Sequence, residues 1–155
     1  MKKLILVLLL TASLFSDSII VPVASMHLDS QYSHNEDNAG LGYKYLVLDH
    51  IEISDGLYLE DGTYDIYVSG GFYENSIYRT SVFVAVGYDY IITDYLKVGA
   101  EIGAVSGYTD TGFIPYARPT ATLKLYKNVS CKLGFIPKTS PERSSVLTLE
   151  FLVDF

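Results

Sequence analysis

Tryptophan is absent from this 155-residue chain, cysteine occurs once, at Cys131, and methionine only twice. One cysteine excludes an intramolecular disulfide framework and any zinc site built on several thiolates. Charge is also sparse, at 19% of residues against the ~25% of ordinary soluble domains. Cations are scarcer than anions: 11 Lys and Arg stand against 18 Asp and Glu, a formal net charge of −7. That balance excludes nucleic acid as a partner, because neutralising phosphates takes clustered Lys and Arg. No apolar run reaches the ~20 residues that a membrane-spanning helix needs. What is plentiful is aromatic, with 14 Tyr and 7 Phe in a chain that is 49% hydrophobic. So much apolar side chain excludes intrinsic disorder, and the length suits one domain.

The first segment reads as a targeting signal. Lys2 and Lys3 precede an apolar run from Leu4 to Leu10 that continues with small polar interruptions to Phe15. A positive start, a short apolar centre and small residues beyond it describe a signal peptide, with cleavage expected after Ser16 or Ser18. The domain organisation expected is therefore 1–18 as signal and 19–155 as a single exported domain.

Beyond that point period-2 alternation replaces helical periodicity. Leu96 to Ala104 places Leu96, Val98, Ala100, Ile102 and Ala104 on one face, with Lys97, Gly99, Glu101 and Gly103 on the other. Val129 to Phe135 repeats the pattern, as do Leu147, Leu149, Phe151, Val153 and Phe155. Strands are expected near 18–29, 39–48, 64–74, 81–92, 95–107, 113–126, 128–137 and 145–155. That count, at roughly ten residues each, matches a small transmembrane barrel. The fold class expected is all-β, an eight-stranded antiparallel transmembrane β-barrel. Its inner face would carry Lys97, Glu101, Lys132, Glu150 and several glycines, with Arg118, Glu101 and Glu150 as a charge network, since unpaired interior charges are costly. Tyrosines suit the interfacial girdles, and Cys131 falls on the lipid-facing side. A secreted lipocalin-like barrel has the same strand count, and alternation by itself does not say which face is wet.

The acidic stretch from Asp49 to Asp61 reads as a solvated turn or short hairpin; it lacks the spacing of a calcium loop. His34 and His50 read as solvated loop residues. The three histidines show no metal-binding spacing, so neither metal nor cofactor is expected.

If both termini of the barrel face the periplasm, odd-numbered strands run outward. His27, near the end of the first strand, then shares the extracellular rim with Asn75 and Ser76, just past the third. A histidine near a serine is the minimum for base-assisted acyl chemistry, in which imidazole takes the hydroxyl proton as oxygen attacks a carbonyl. A third group normally holds the imidazole tautomer.

Several segments, in order, resemble the lipid A palmitoyltransferases of the PagP type. Ile20 to His27 resembles that family's first strand, with its proline and catalytic histidine. Asn35 to Gly42 resembles the Asn-Glu and glycine-rich start of the second. Tyr67 to Ser76 resembles the third, which ends in a catalytic Asp-Ser pair, and Ile114-Pro115 and Phe135-Ile136-Pro137 resemble later strand prolines. The resemblance implies a bacterial outer-membrane barrel, a monomer, that moves an acyl chain from phospholipid to lipid A at the outer leaflet. It implies His27, Asn75 and Ser76 as catalytic residues, with Asn75 orienting His27. Gly87 would be the floor of an acyl pocket. Pro22 and Pro137, in neighbouring strands, would mark ladder gaps through which lipid passes. The chain departs from the family where Asn75 replaces its Asp, in the missing tryptophans, and in lacking an N-terminal amphipathic helix. A non-enzymatic small outer-membrane barrel, serving surface masking, adhesion or membrane integrity, is the alternative.

Overall fold

The computed structural model describes residues 17–28, 34–52, 63–108, 112–138 and 144–155. The signal-like residues before Asp17, and residues 53–62 of the acidic stretch and its flank, lie outside the described residues. Strands β1 (Ser18–His27), β2 (Gly40–Glu52), β3 (Thr63–Glu74) and β4 (Thr80–Thr93) are followed by β5 (Leu96–Val105), β6 (Ile114–Tyr126), β7 (Val129–Ile136) and β8 (Val146–Asp154). Each pairs antiparallel with the next, and β8 returns to β1 from Ser18–Asp154 to His27–Val146, closing the barrel. The expected strands are all present. The largest difference is β2, which runs on to Glu52 into the stretch read as a turn. Pairing of Ile51 with Tyr64 and Glu52 with Thr63, reached through two register shifts, carries it there. His50 is accordingly a strand residue.

Exposure alternates as a membrane barrel requires. On β4 the side chains of Val82, Val84, Val86 and Tyr88 are exposed, while Ser81, Phe83, Ala85 and Asp89 are buried. Leu123, Leu125 and Leu133 continue the outward apolar belt, and Cys131 pairs with Leu123 on that face. The interior is polar. Lys44 bonds Asp89 at 3.1 Å and Lys97 bonds Asp65 at 2.6 Å. Arg118 joins two carboxylates, Glu101 and Glu150, at 2.6 Å each, and Lys132 pairs with Glu101. Tyr67, fully buried, donates to Glu101 at 3.0 Å and accepts from Lys132 at 2.8 Å. Its ring lies under Lys44 Nζ, 3.9 Å from the centroid, with Lys132 Nζ at 4.7 Å. Such contacts are stronger once desolvated.

Tyr67 explains Gly87. The two are paired across β3 and β4, and a Cβ at Gly87 would run into the tyrosine ring. A smaller apolar cluster of Ile20, Phe83 and Leu152, with Tyr73 and Val105 against it, fills another part of the interior. At the end where Ser18 pairs with Asp154, Asp17 is buried; it accepts from Tyr43 Oη and from the Leu46 N–H at 3.2 Å, and its carbonyl takes the Phe155 N–H at 3.1 Å.

Glu101→Leu leaves Lys132 and Arg118 without their shared carboxylate. It should cost about 3–5 kcal/mol, read as a lower urea midpoint for unfolding from lipid bilayers with the m-value unchanged.

Candidate functional site at the loop-end rim

Two-residue turns at Asp94–Tyr95 and Lys127–Asn128 lie at the end of the barrel where Ser18 pairs with Asp154. The opposite end carries the β1–β2, β3–β4, β5–β6 and β7–β8 connections. His27 lies there, at the end of β1, and Asn75 and Ser76 open the β3–β4 turn.

The structure joins these residues through a strap, residues 34–39, which precedes β2, whereas the resemblance reads Asn35 onward as the start of that strand. The His34 ring stacks on His27, centroids 3.9 Å apart and planes 17° from parallel. His34 is thus packed against a ring instead of standing free in solvent. The next residue, Asn35, donates its N–H to the Ser76 carbonyl at 2.9 Å and its side chain to Glu74 at 2.9 Å. Asn38 Nδ2 donates to the Glu74 carbonyl at 2.8 Å, and the Glu74 N–H returns to the Ala39 carbonyl at 3.0 Å. His27 and Ser76 are therefore linked by two consecutive strap residues. The signal available in sequence was the polar run Asn35-Glu36-Asp37-Asn38 just before the glycines of β2.

Asn75 has a different task from the one expected of it. Its side chain is buried and makes four hydrogen bonds. Oδ1 accepts from the N–H groups of Ile77 and Arg79, both at 3.0 Å. Nδ2 donates to Ser81 Oγ at 3.0 Å and to the Gly107 carbonyl at 3.1 Å. Two acceptor and two donor positions exhaust a primary amide, so nothing remains with which to orient His27. The amide instead holds a tight turn in which Tyr78 sits at φ 59°, a costly conformation for a residue with a side chain. It also ties that turn to Gly107 at φ 89°, where a Cβ would meet the Thr80 carbonyl and Ser81 Oγ. A carboxylate would keep the accepting half and set an anion against the Gly107 carbonyl. That is a structural reason for asparagine where the resembled family has aspartate.

The interior is correspondingly occupied. Gly87 faces inward as expected, but the space over it holds the Tyr67 ring. An acyl chain reaching Gly87 would have to displace Tyr67 from Glu101 and Lys132.

The barrel wall has two weak seams at the rim end. The β1–β2 ladder runs only from Ser18–Lys44 to Ile20–Gly42. Just beyond lies Pro22, with a register shift on its β8 side before Ala24. Above it the strap replaces β2: Ser25 N–H donates to the Glu36 carbonyl at 2.9 Å and Asn38 N–H to the Val23 carbonyl at 3.0 Å. The second seam is between β6 and β7, whose register stops at Thr120–Gly134 while β6 continues up to Ile114. Pro115, Ala117 and Pro119 are exposed on that free stretch. Pro137 follows the end of β7. The expectation that Pro22 and Pro137 sit in neighbouring strands is corrected, because β8 separates β1 from β7. The prolines beside the β6–β7 seam are Pro115 and Pro119 on β6 and Pro137 just after β7. Among the described residues no group of three or more His, Cys, Asp or Glu is placed to hold a metal ion.

A closed eight-stranded antiparallel barrel with a polar, ion-paired interior and an apolar outer belt is the architecture of small outer-membrane-type barrels. Among solved structures the chain resembles the de novo designed protein TMB2.3, with TM-score 0.64 and 17% identity over 91% of this chain and 94% of that one. The outer membrane protein Ail of Yersinia pestis is also matched, with TM-score 0.49 and 12% identity over 91% of this chain and 99% of that one. No protein-family model and no curated protein sequence matches the chain.

Asn75→Ala removes four hydrogen bonds from a buried turn and should destabilise the barrel by about 2–4 kcal/mol. Asn75→Asp should cost nearly as much, since it loses both donors. Equilibrium unfolding of the two variants in bilayers checks this; a neutral Asn75→Asp would mean that the turn does not depend on the amide.

Proposed function

We propose that the protein is a bacterial outer-membrane barrel that acts on bilayer lipid at its loop-end rim, as the resemblance to the PagP-type lipid A palmitoyltransferases implies. The reaction is transfer or removal of an acyl chain at the outer leaflet, with phospholipid and lipid A as partners. His27 serves as general base and Ser76 as nucleophile or hydrogen-bond donor, while the Asn75 amide holds the turn that carries Ser76 and the strap sets His34 against His27.

One observation carries this reading. The β6–β7 ladder is interrupted at the rim end, beneath an apolar outer surface. A backbone group left unpaired in hydrocarbon costs several kcal/mol, so a barrel that served only as a scaffold gains by closing its wall. Here the free edge carries Pro115 and Pro119, which have no N–H to orphan. The alternate residues of a strand direct their backbone groups to the same neighbour, so Ala117 supplies the one N–H between them on that edge. Proline thus lowers the cost of a seam that is kept open, and an open seam at the lipid face is of use to a protein that passes lipid laterally. Pro22 performs the same service where the β1–β2 ladder ends.

A second reading, a non-enzymatic barrel working through its loops, is favoured by the saturated amide of Asn75 and by the Tyr67 ring over Gly87. It is kept as the alternative.

Mass spectrometry of lipid A and phospholipid from cells producing the protein separates the two. The proposal expects a gain or loss of one acyl chain that disappears in His27→Ala, with that variant still folded in the outer membrane. Unchanged lipids with both forms folded would leave the scaffold reading.

A further inference from the structure

We infer that the outer wall of the barrel holds a fixed seat for a single phospholipid acyl chain, in the groove that crosses β1, β2 and β3. The groove is open to the outside and offers about 330 Å³, with Ile19, Leu41, Tyr43 and Phe72 as walls and Gly70 in its floor. It spans three strands, about 10 Å at the usual strand spacing.

The groove has a structural origin. From inside the barrel Phe83 packs tightly on Gly42 and Gly71, where added Cβ atoms would lie 3.1 and 2.9 Å from its ring. The neighbouring Gly70 takes the opposite face. A Cβ there would meet only the Phe83 carbonyl, at 3.3 Å, so the outward position is vacant. On the adjacent β4 the outward positions are filled by the side chains of Val82, Val84 and Val86.

Three features identify the occupant as an acyl chain. The groove is continuous with the outward apolar belt, whose surroundings in a membrane barrel are lipid chains. Its lining is almost wholly apolar. The polar atom nearest to hand, Tyr43 Oη, is already bonded to Asp17. A peptide segment lying there would bring backbone N–H and C=O groups with nothing to satisfy them; an acyl chain brings none. The seat also adjoins the end of the β1–β2 ladder, since Gly42 forms its last pair with Ile20. A chain held there lies against that seam. The seat does not depend on His27 being catalytic, and unchanged lipid A leaves it standing.

The test uses the full mature barrel in phosphatidylcholine nanodiscs, methyl-labelled on Ile, Leu and Val. Chain-methylene NOEs to Ile19 and Leu41 should exceed those to Val84 and Val86 at least threefold. Gly70→Leu, which fills the outward notch, should bring them down to the Val84 level. Phe72→Ala, which removes one wall, should also weaken them, and it guards against a Gly70→Leu barrel that does not fold. Equal NOEs at all four residues in the unmodified protein overturn the proposal. So do protomer-to-protomer NOEs at Ile19 in a mixed-label sample, which would make a second copy the occupant.

Discussion

Ionised side chains inside a barrel have to find their counter-charges inside it, and the structure is arranged around that condition. Lys44, Lys97, Arg118 and Lys132 meet Asp65, Asp89, Glu101 and Glu150. Attraction between buried charges offsets their desolvation only when geometry is good and the remaining lone pairs are bonded. Glu101 satisfies both demands by taking Arg118 on one oxygen and Lys132 and Tyr67 on the other. Tyr67 can reach that position because Gly87 opposite it has no side chain. The same ring lies beneath Lys44, so two ion-pair groups from opposite walls are tied to one tyrosine. Moving any of these residues by one register position would turn a charge toward the lipid. The network therefore selects the pairing of the strands as much as it strengthens it.

The rim follows a different rule. Its connections are stitched by neutral amides, which can both donate and accept. Asn75 fastens the β3–β4 turn to the β5–β6 side through Gly107, and Asn35 and Asn38 fasten the strap to Glu74 and to the turn. His27 is placed by this stitching, because the strap that carries its stacking partner His34 is held by residues of β3 and its turn. The position of His27 relative to Ser76 thus depends on the backbone bond from Asn35 to Ser76 and on the stacking of His34.

The wall is least complete where rim and belt meet. The strap bridges one seam and prolines border the other. The strap does so through one isolated antiparallel bridge, Ala24 with Asp37, while the prolines remove backbone donors. The glycine floor on the outer wall lies at the foot of the first seam, so the departures from a uniform barrel surface gather around β1–β3 and β6–β7.

Strand count and strand positions were legible in the sequence, because alternation with period 2 is local and each strand carries it independently, but which face is turned inward was decided by the closed barrel. Lys97, Glu101, Arg118, Lys132 and Glu150 were expected inside, as residues of the wrong polarity for a lipid-facing wall, whereas Lys44, Asp65 and Asp89 were not singled out. What each polar residue is bonded to was not legible. Arg118 and Glu150 are 32 positions apart, Lys132 and Tyr67 are 65 apart, and their meeting depends on the stagger of a closed sheet. Asn75 resembled a catalytic position by its place before a serine, and only the folded turn shows its amide fully used. Gly87 resembled a pocket floor, and only a tyrosine from the neighbouring strand shows what stands over it. Local pattern sufficed for the barrel, since burial on one face is a property of each strand alone. The roles of single residues at the rim and in the interior were decided by tertiary structure, since hydrogen-bond capacity and free volume belong to neighbours brought together by barrel closure.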